Sequence, residues 1–133
     1  MKIFTKIIFF AFFVLTCVEQ QLNASEKIKI GLLVPLSGKN AYVGNSIIKS
    51  VKLAINKINN SKIEIIPKDT KNDPTITLQA AKKLNAQGVK IVIGPIFNKN
   101  LIYLDELQDM IFISLTNKTL EIPKNVISAG INS

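Results

Sequence analysis

Residues Ile28-Lys29-Ile30-Gly31-Leu32-Leu33-Val34, running into Pro35-Leu36-Ser37-Gly38, decide the fold. An apolar run interrupted only by Lys29 and Gly31, and closed by proline and glycine, reads as a buried strand that ends in a turn. From about Gly44 the period changes. Ile47, Ile48, Val51, Ala54, Ile55 and Ile58 fall on one face and Lys49, Lys52, Asn56 and Lys57 on the other, which predicts an amphipathic helix that stops near Asn59-Asn60-Ser61.

The alternation continues along the chain. Ile63 to Pro67 is a second predicted strand, and Asn72-Asp73-Pro74 then offers a capping carboxylate before a proline at the first helical position, where its missing N–H does no harm. The helix that starts there carries Leu78, Ala81 and Leu84 and ends at Gly88, a residue that takes the left-handed conformation cheaply. Val89 to Ile93 is a third strand, Leu101 to Asp109 a short helix, Met110 to Leu115 a fourth strand and Val126 to Ala129 a candidate fifth. Strands separated by helices at this spacing predict a parallel sheet, because each crossover must return the chain to the same end of the sheet. The expected fold class is α/β, a three-layer sandwich with a parallel sheet. No helix follows the last strand, so the reading is of an incomplete fold.

The segment before the first strand has a different character. Lys2 and Lys6 precede an apolar run from Ile7 to Val18 that gives way to Glu19, Gln20 and Gln21, the design of a secretory signal peptide. A run of this length falls short of the roughly 20 apolar residues that a membrane-spanning helix needs. Cleavage after Ala24 divides the chain into a signal peptide, 1–24, and one domain, 25–133. Cys17, in Val14-Leu15-Thr16-Cys17, leaves open a lipoprotein reading, although Leu15 and Thr16 fit such a site poorly. The expected location is the periplasm.

Composition removes several chemistries from the 133-residue chain. It has no histidine and one cysteine, so no serine-histidine relay, histidine-activated cysteine or Cys/His zinc cage can be assembled. All 17 basic residues are lysine against 9 acids, and they are scattered. A nucleic-acid surface would want arginine forks and interleaved aromatics, so no nucleic-acid partner is expected. Gly38-Lys39 lacks the glycine and the hydroxyl of a P-loop, there is no G-x-G-x-x-G after the first strand, and no cofactor is expected. Asp73 is explained as a helix cap, and Asp105, Glu106 and Asp109 as the solvated face of a short helix, not as a metal site.

In an open parallel sheet, small molecules bind beyond the C-terminal ends of the strands. Those ends are Pro35 to Gly44, Lys68 to Pro74, Gly94 to Asn100 and Ser114 to Thr119, all rich in Ser, Thr, Asn or Gly. The spacing of these pieces resembles a known family. Ile30-Gly31-Leu32-Leu33-Val34-Pro35-Leu36-Ser37-Gly38, Ala41 and Gly44, Leu53-Ala54 and Ile58-Asn59 are similar to the opening of type I periplasmic solute-binding proteins, the leucine/isoleucine/valine-binding family. Asp69, Asn72-Asp73-Pro74, Ala80-Ala81, Leu84, Gly88-Val89, Val92-Ile93-Gly94-Pro95 and Ile113-Ser114 continue the resemblance, which runs from about Lys27 to Asn132.

The resemblance implies two Rossmann-like α/β lobes, of which this chain matches most of the first, a small solute such as an amino acid held between them, and delivery to the permease of an ABC transporter. It places Asn98, Ser114, Thr116 and Asn117 at the ligand and implies no enzymatic activity. Phe97 and Asn72 replace a cysteine pair that some members carry, Leu115 intrudes into the small-residue segment, and Val43 replaces a frequent aromatic residue. These departures bring the sequence nearer a branch resembling penicillin-binding protein activators, for which the partner would be a cell-wall synthase and the role regulation of peptidoglycan synthesis.

Overall fold

The computed structural model describes Ile3, residues 27–117 and residues 121–130. Cys17 and the remainder of the proposed signal peptide lie outside the described residues. Among the described residues five strands form one sheet: β1 (Ile28–Val34), β2 (Ile63–Asp69), β3 (Ile91–Ile93), β4 (Ile111–Ser114) and β5 (Val126–Ser128). Their order is β2-β1-β3-β4-β5 and every pairing is parallel. Because β1 lies between β2 and β3, successive connections leave in opposite directions at this point, and such switch points open a crevice at the C-terminal ends of the strands.

Helix α1 (Ala41–Ile58) begins one turn earlier than the change of period at Gly44. Gly38, at φ 75°, makes the turn, and its carbonyl accepts from the N–H of Ala41 at 3.1 Å. Asn59, at φ 52°, closes the helix as expected, with its N–H on the Ile55 carbonyl at 3.0 Å. The packing of α1 differs from expectation. Ile47, Ile48, Val51 and Ile55 are half-buried, Ala54 and Ile58 are exposed, and the one fully buried residue is Gly44.

Helix α2 (Pro74–Ala86) follows its predicted limits. Asp73 Oδ1 accepts from the N–H of Ile76 at 2.9 Å. At the other end the N–H of Gly88 reaches the Asn85 carbonyl at 2.9 Å and that of Val89 the Leu84 carbonyl at 3.1 Å, the paired bonds of a Schellman motif. Ala80, Ala81 and Leu84 then meet Leu33, Val92, Phe112 and Val126 in the core. Full burial of a leucine such as Leu33 or Leu84 contributes about 1.5–3 kcal/mol each.

The segment after β3 is a correction to the sequence expectation. Leu101 to Asp109 is not an α-helix; two short 3₁₀ turns, Asn98–Leu101 and Leu104–Glu106, take its place. Leu101, Leu104, Leu107 and Met110 are all buried and stand three residues apart. A 3₁₀ turn places every third side chain in line, so this spacing keeps the whole row on the core. Asn125 fixes the row from outside, with Nδ2 donating to the Leu104 carbonyl at 2.8 Å and the Leu107 carbonyl at 2.9 Å.

The layers are unequal. The sheet face carrying Leu33, Val92, Phe112 and Val126 is covered by α2 and the 3₁₀ turns. On the opposite face Leu32 and Val34 are buried, whereas Ile91, Ile111 and Ile127 are 41%, 48% and 57% exposed. Among the described residues the third layer therefore covers β1 and leaves β3 to β5 open.

Candidate functional site

The rim at the C-terminal ends of the strands is built from loops tied together by side chains. Asp69, the last residue of β2, reaches across to the loop after β1. Its carboxylate accepts from the Leu36 N–H and the Ser37 hydroxyl, both at 2.7 Å, and from the Lys71 N–H at 2.8 Å. Partial burial pushes the Asp69 carboxyl up, but the Ser37 hydroxyl and the N–H groups of Leu36, Lys71 and Ser37 outweigh it and hold the group below the ordinary carboxylate range. Asp69 thereby braces one half of the rim.

A second tie joins the loops after β2 and β3. Asn100 is fully buried, and its Nδ2 donates to Asn72 Oδ1 at 3.3 Å while its N–H donates to the Phe97 carbonyl at 3.0 Å. Asn72 stands at φ 54°. One of the two positions that lack the cysteine pair thus carries a hydrogen bond to the turn that bears Asn98.

The loops after β3, β4 and β5 border an open crevice of about 360 Å³ lined by Ile96, Phe97, Asn98, Leu115, Thr116, Asn117 and Gly130. Three of the residues expected at a ligand, Asn98, Thr116 and Asn117, come together here. Asn98 and Asn117 are exposed and Thr116 is buried. Among the described residues, those lining the crevice carry amides and a hydroxyl beside the apolar side chains of Ile96, Phe97 and Leu115, and none of them is charged. Such a wall can orient a small solute by hydrogen bonds and shield its apolar part.

Ser114 is the expected site residue that the structure places elsewhere. It is 0% exposed and does not line the crevice. Its Oγ donates to the Pro95 carbonyl at 2.9 Å and accepts from the Thr116 N–H at 3.3 Å. The reason is strand parity. Ser114 lies two residues after Phe112, a core residue, so both point to the same covered face. Ile96 and Phe97 lie in the strand-end segment Gly94 to Asn100 named from the sequence, whereas Gly130, just after β5, lies outside the segments named there.

Comparison with known proteins decides the family. A family model described as periplasmic binding protein matches residues 27–106. The chain belongs to the periplasmic binding protein family. Leu/Ile/Val-binding protein homolog 1 of Brucella abortus is 36% identical over 78 residues, covering 54% of this chain and 21% of that protein. The chain spans about a fifth of the length of the curated relatives it matches.

Solved structures of the family superpose on the chain. A solute-binding protein of an ABC transporter from Rhodopseudomonas palustris BisB5, in complex with 3,4-dihydroxybenzoic acid, superposes with a TM-score of 0.64 at 27% identity, over 69% of this chain and 28% of that one. The C-domain of LpoA (YraM) from Haemophilus influenzae, a regulator of PBP1A, gives 0.57 at 26% identity, over 68% and 28%. This periplasmic binding protein chain thus has solute-binding and regulatory proteins among its neighbours.

Proposed function

We propose that residues 25–133 form the N-terminal lobe of an exported solute receptor, with residues 1–24 as its signal peptide. The lobe presents one wall of a cleft that holds a small solute, an amino acid or a related carboxylic acid, for delivery to the permease of an ABC transporter. Asn98, Thr116 and Asn117 contact the ligand, Ser114 acts from beneath them, and no bond is made or broken in the solute. The observation that carries this proposal is the meeting of Asn98, Thr116 and Asn117 in one crevice at the ends of parallel strands. The solute-binding relatives of ABC transporters support it.

The test is thermal unfolding of the chain with a panel containing leucine, isoleucine, valine and 3,4-dihydroxybenzoate. A solute present at about 100 times its Kd adds roughly 2.7 kcal/mol of stability, an easily read shift. A rise in midpoint with one solute class, abolished by Asn98→Ala, is expected. The LpoA neighbour favours a second role, regulation of a cell-wall synthase, in which no solute is carried. Midpoints unchanged across the panel, together with retention of a penicillin-binding protein on the immobilised chain, would select that role instead.

A further inference from the structure

We infer that Ser114 is a positioning residue whose hydroxyl ties the crevice loops after β3 and β4 into one preformed rim, an inference that rests on the proposed solute site for its functional consequence. The observations converge on this one residue. Its hydroxyl donates to the Pro95 carbonyl at 2.9 Å, and that carbonyl also accepts the Leu115 N–H at 3.1 Å, so the loop carrying Asn98 is bonded twice to the end of β4. The same hydroxyl oxygen accepts the Thr116 N–H at 3.3 Å, which turns the chain so that Leu115, Thr116 and Asn117 face the crevice. A serine hydroxyl has one donor and two acceptor sites, and here it bridges both loops at once.

The third loop is attached to the same segment by backbone carbonyls, independently of the Ser114 hydroxyl. The Ser114 carbonyl accepts the Ala129 N–H at 2.8 Å, and the Thr116 carbonyl accepts the Gly130 N–H at 3.1 Å and the Ser128 hydroxyl at 2.6 Å. Gly130 permits this approach, since a Cβ there would stand 2.3 Å from the Thr116 oxygen. Ser114 is 0% exposed, so water does not replace its bonds when they are lost. Removing the hydroxyl leaves every apolar core contact and the Leu115 N–H bond to Pro95 in place, but takes away the second bond to Pro95 and the acceptor for the Thr116 N–H. The two loops are then held by fewer bonds, and a ligand has to order them further on binding.

Backbone amide hydrogen exchange on the full chain, without added solute, tests the inference. Ser114→Ala is compared with Val92→Ala, a core truncation on the same covered face. The expected result for Ser114→Ala is exchange about tenfold faster at both Ile96–Asn98 and Leu115–Asn117, the factor that loss of about 1.4 kcal/mol implies, with β1 and α2 unchanged. Val92→Ala should accelerate exchange evenly. Ser114→Cys, with a weaker donor, should fall between wild type and Ser114→Ala. Faster exchange in only one loop, an even increase like that of Val92→Ala, or failure of both Ser114 variants to fold would overturn the inference. Because no ligand enters this measurement, its failure is separate from failure of the solute proposal, which the unfolding panel reads.

Discussion

Gly44→Ala sets two well-measured effects against each other. Alanine is favoured over glycine inside a helix by about 1 kcal/mol, so propensity alone predicts a more stable protein. Packing predicts the reverse. A Cβ on Gly44 would lie 1.9 Å from the Pro35 carbonyl oxygen and 2.8 Å from its carbon. Non-bonded contacts with carbon are comfortable at about 3.5 Å, so the start of α1 must retreat by roughly 1.5 Å. The contact being lost is the one fully buried position of α1, and the loop being pushed is the one that Asp69 holds through Leu36 and Ser37.

Overpacking against backbone costs about 1–3 kcal/mol or somewhat more, which exceeds the propensity gain. A net loss of about 1–2 kcal/mol is expected, or roughly 4–15 °C in the unfolding midpoint for a domain of this size. Denaturant titration followed by circular dichroism provides the measurement, with Asn56→Ala, at an exposed position of the same helix, as the propensity control. The control should gain a few tenths of a kcal/mol. A Gly44→Ala protein as stable as wild type would refute the close approach of α1 to Pro35.

Two further substitutions test the rim and the helix entry. The Asp69 carboxyl is held below its ordinary value in the folded protein, so its stabilising contribution is complete above the unfolded value of about 3.9 and is lost as pH falls through the lower folded value. Asp69→Asn should therefore lower stability at neutral pH and flatten its decline in acid below about pH 4; parallel acid titrations of mutant and wild type would contradict this. Asp73→Ala removes the side-chain acceptor for Ile76 N–H and should cost about 1 kcal/mol in denaturant titration, with no effect counting against the cap.

Much of the fold was legible because local chemistry and tertiary packing agree. The limits of β1 follow from its apolar run, and those of α2 from Asp73, Pro74 and Gly88 acting as local signals. β2 was read as ending at Pro67 but continues to Asp69, because a proline is tolerated on an edge strand, where one side of the backbone has no partner. The row from Leu101 to Met110 was ambiguous. Apolar residues three apart serve either a helix or successive 3₁₀ turns, and only the packing against Phe112 and Asn125 selects the latter.

The candidate site divided along the same line. Asn98, Thr116 and Asn117 lie in loops beyond strand ends, and the resemblance that placed them at a ligand agrees with their meeting in one crevice. Ser114 lies inside β4. Its side chain is governed by alternation with Phe112, a signal present in the sequence but outweighed by the resemblance of its loop to a ligand-holding segment. The ties made by Asp69 and Asn100 had no local signature, since each joins residues about thirty positions apart.

The crevice at the ends of β3 and β4 is proposed to receive a small solute. Titration of the isotopically labelled chain with the amino-acid and hydroxybenzoate panel, followed by amide chemical shifts, addresses it residue by residue. Saturable shifts of Asn98, Thr116 and Asn117 with a single shared Kd for one solute class are expected. Shifts confined to other parts of the sheet, or amides at those three positions that never move, would contradict it.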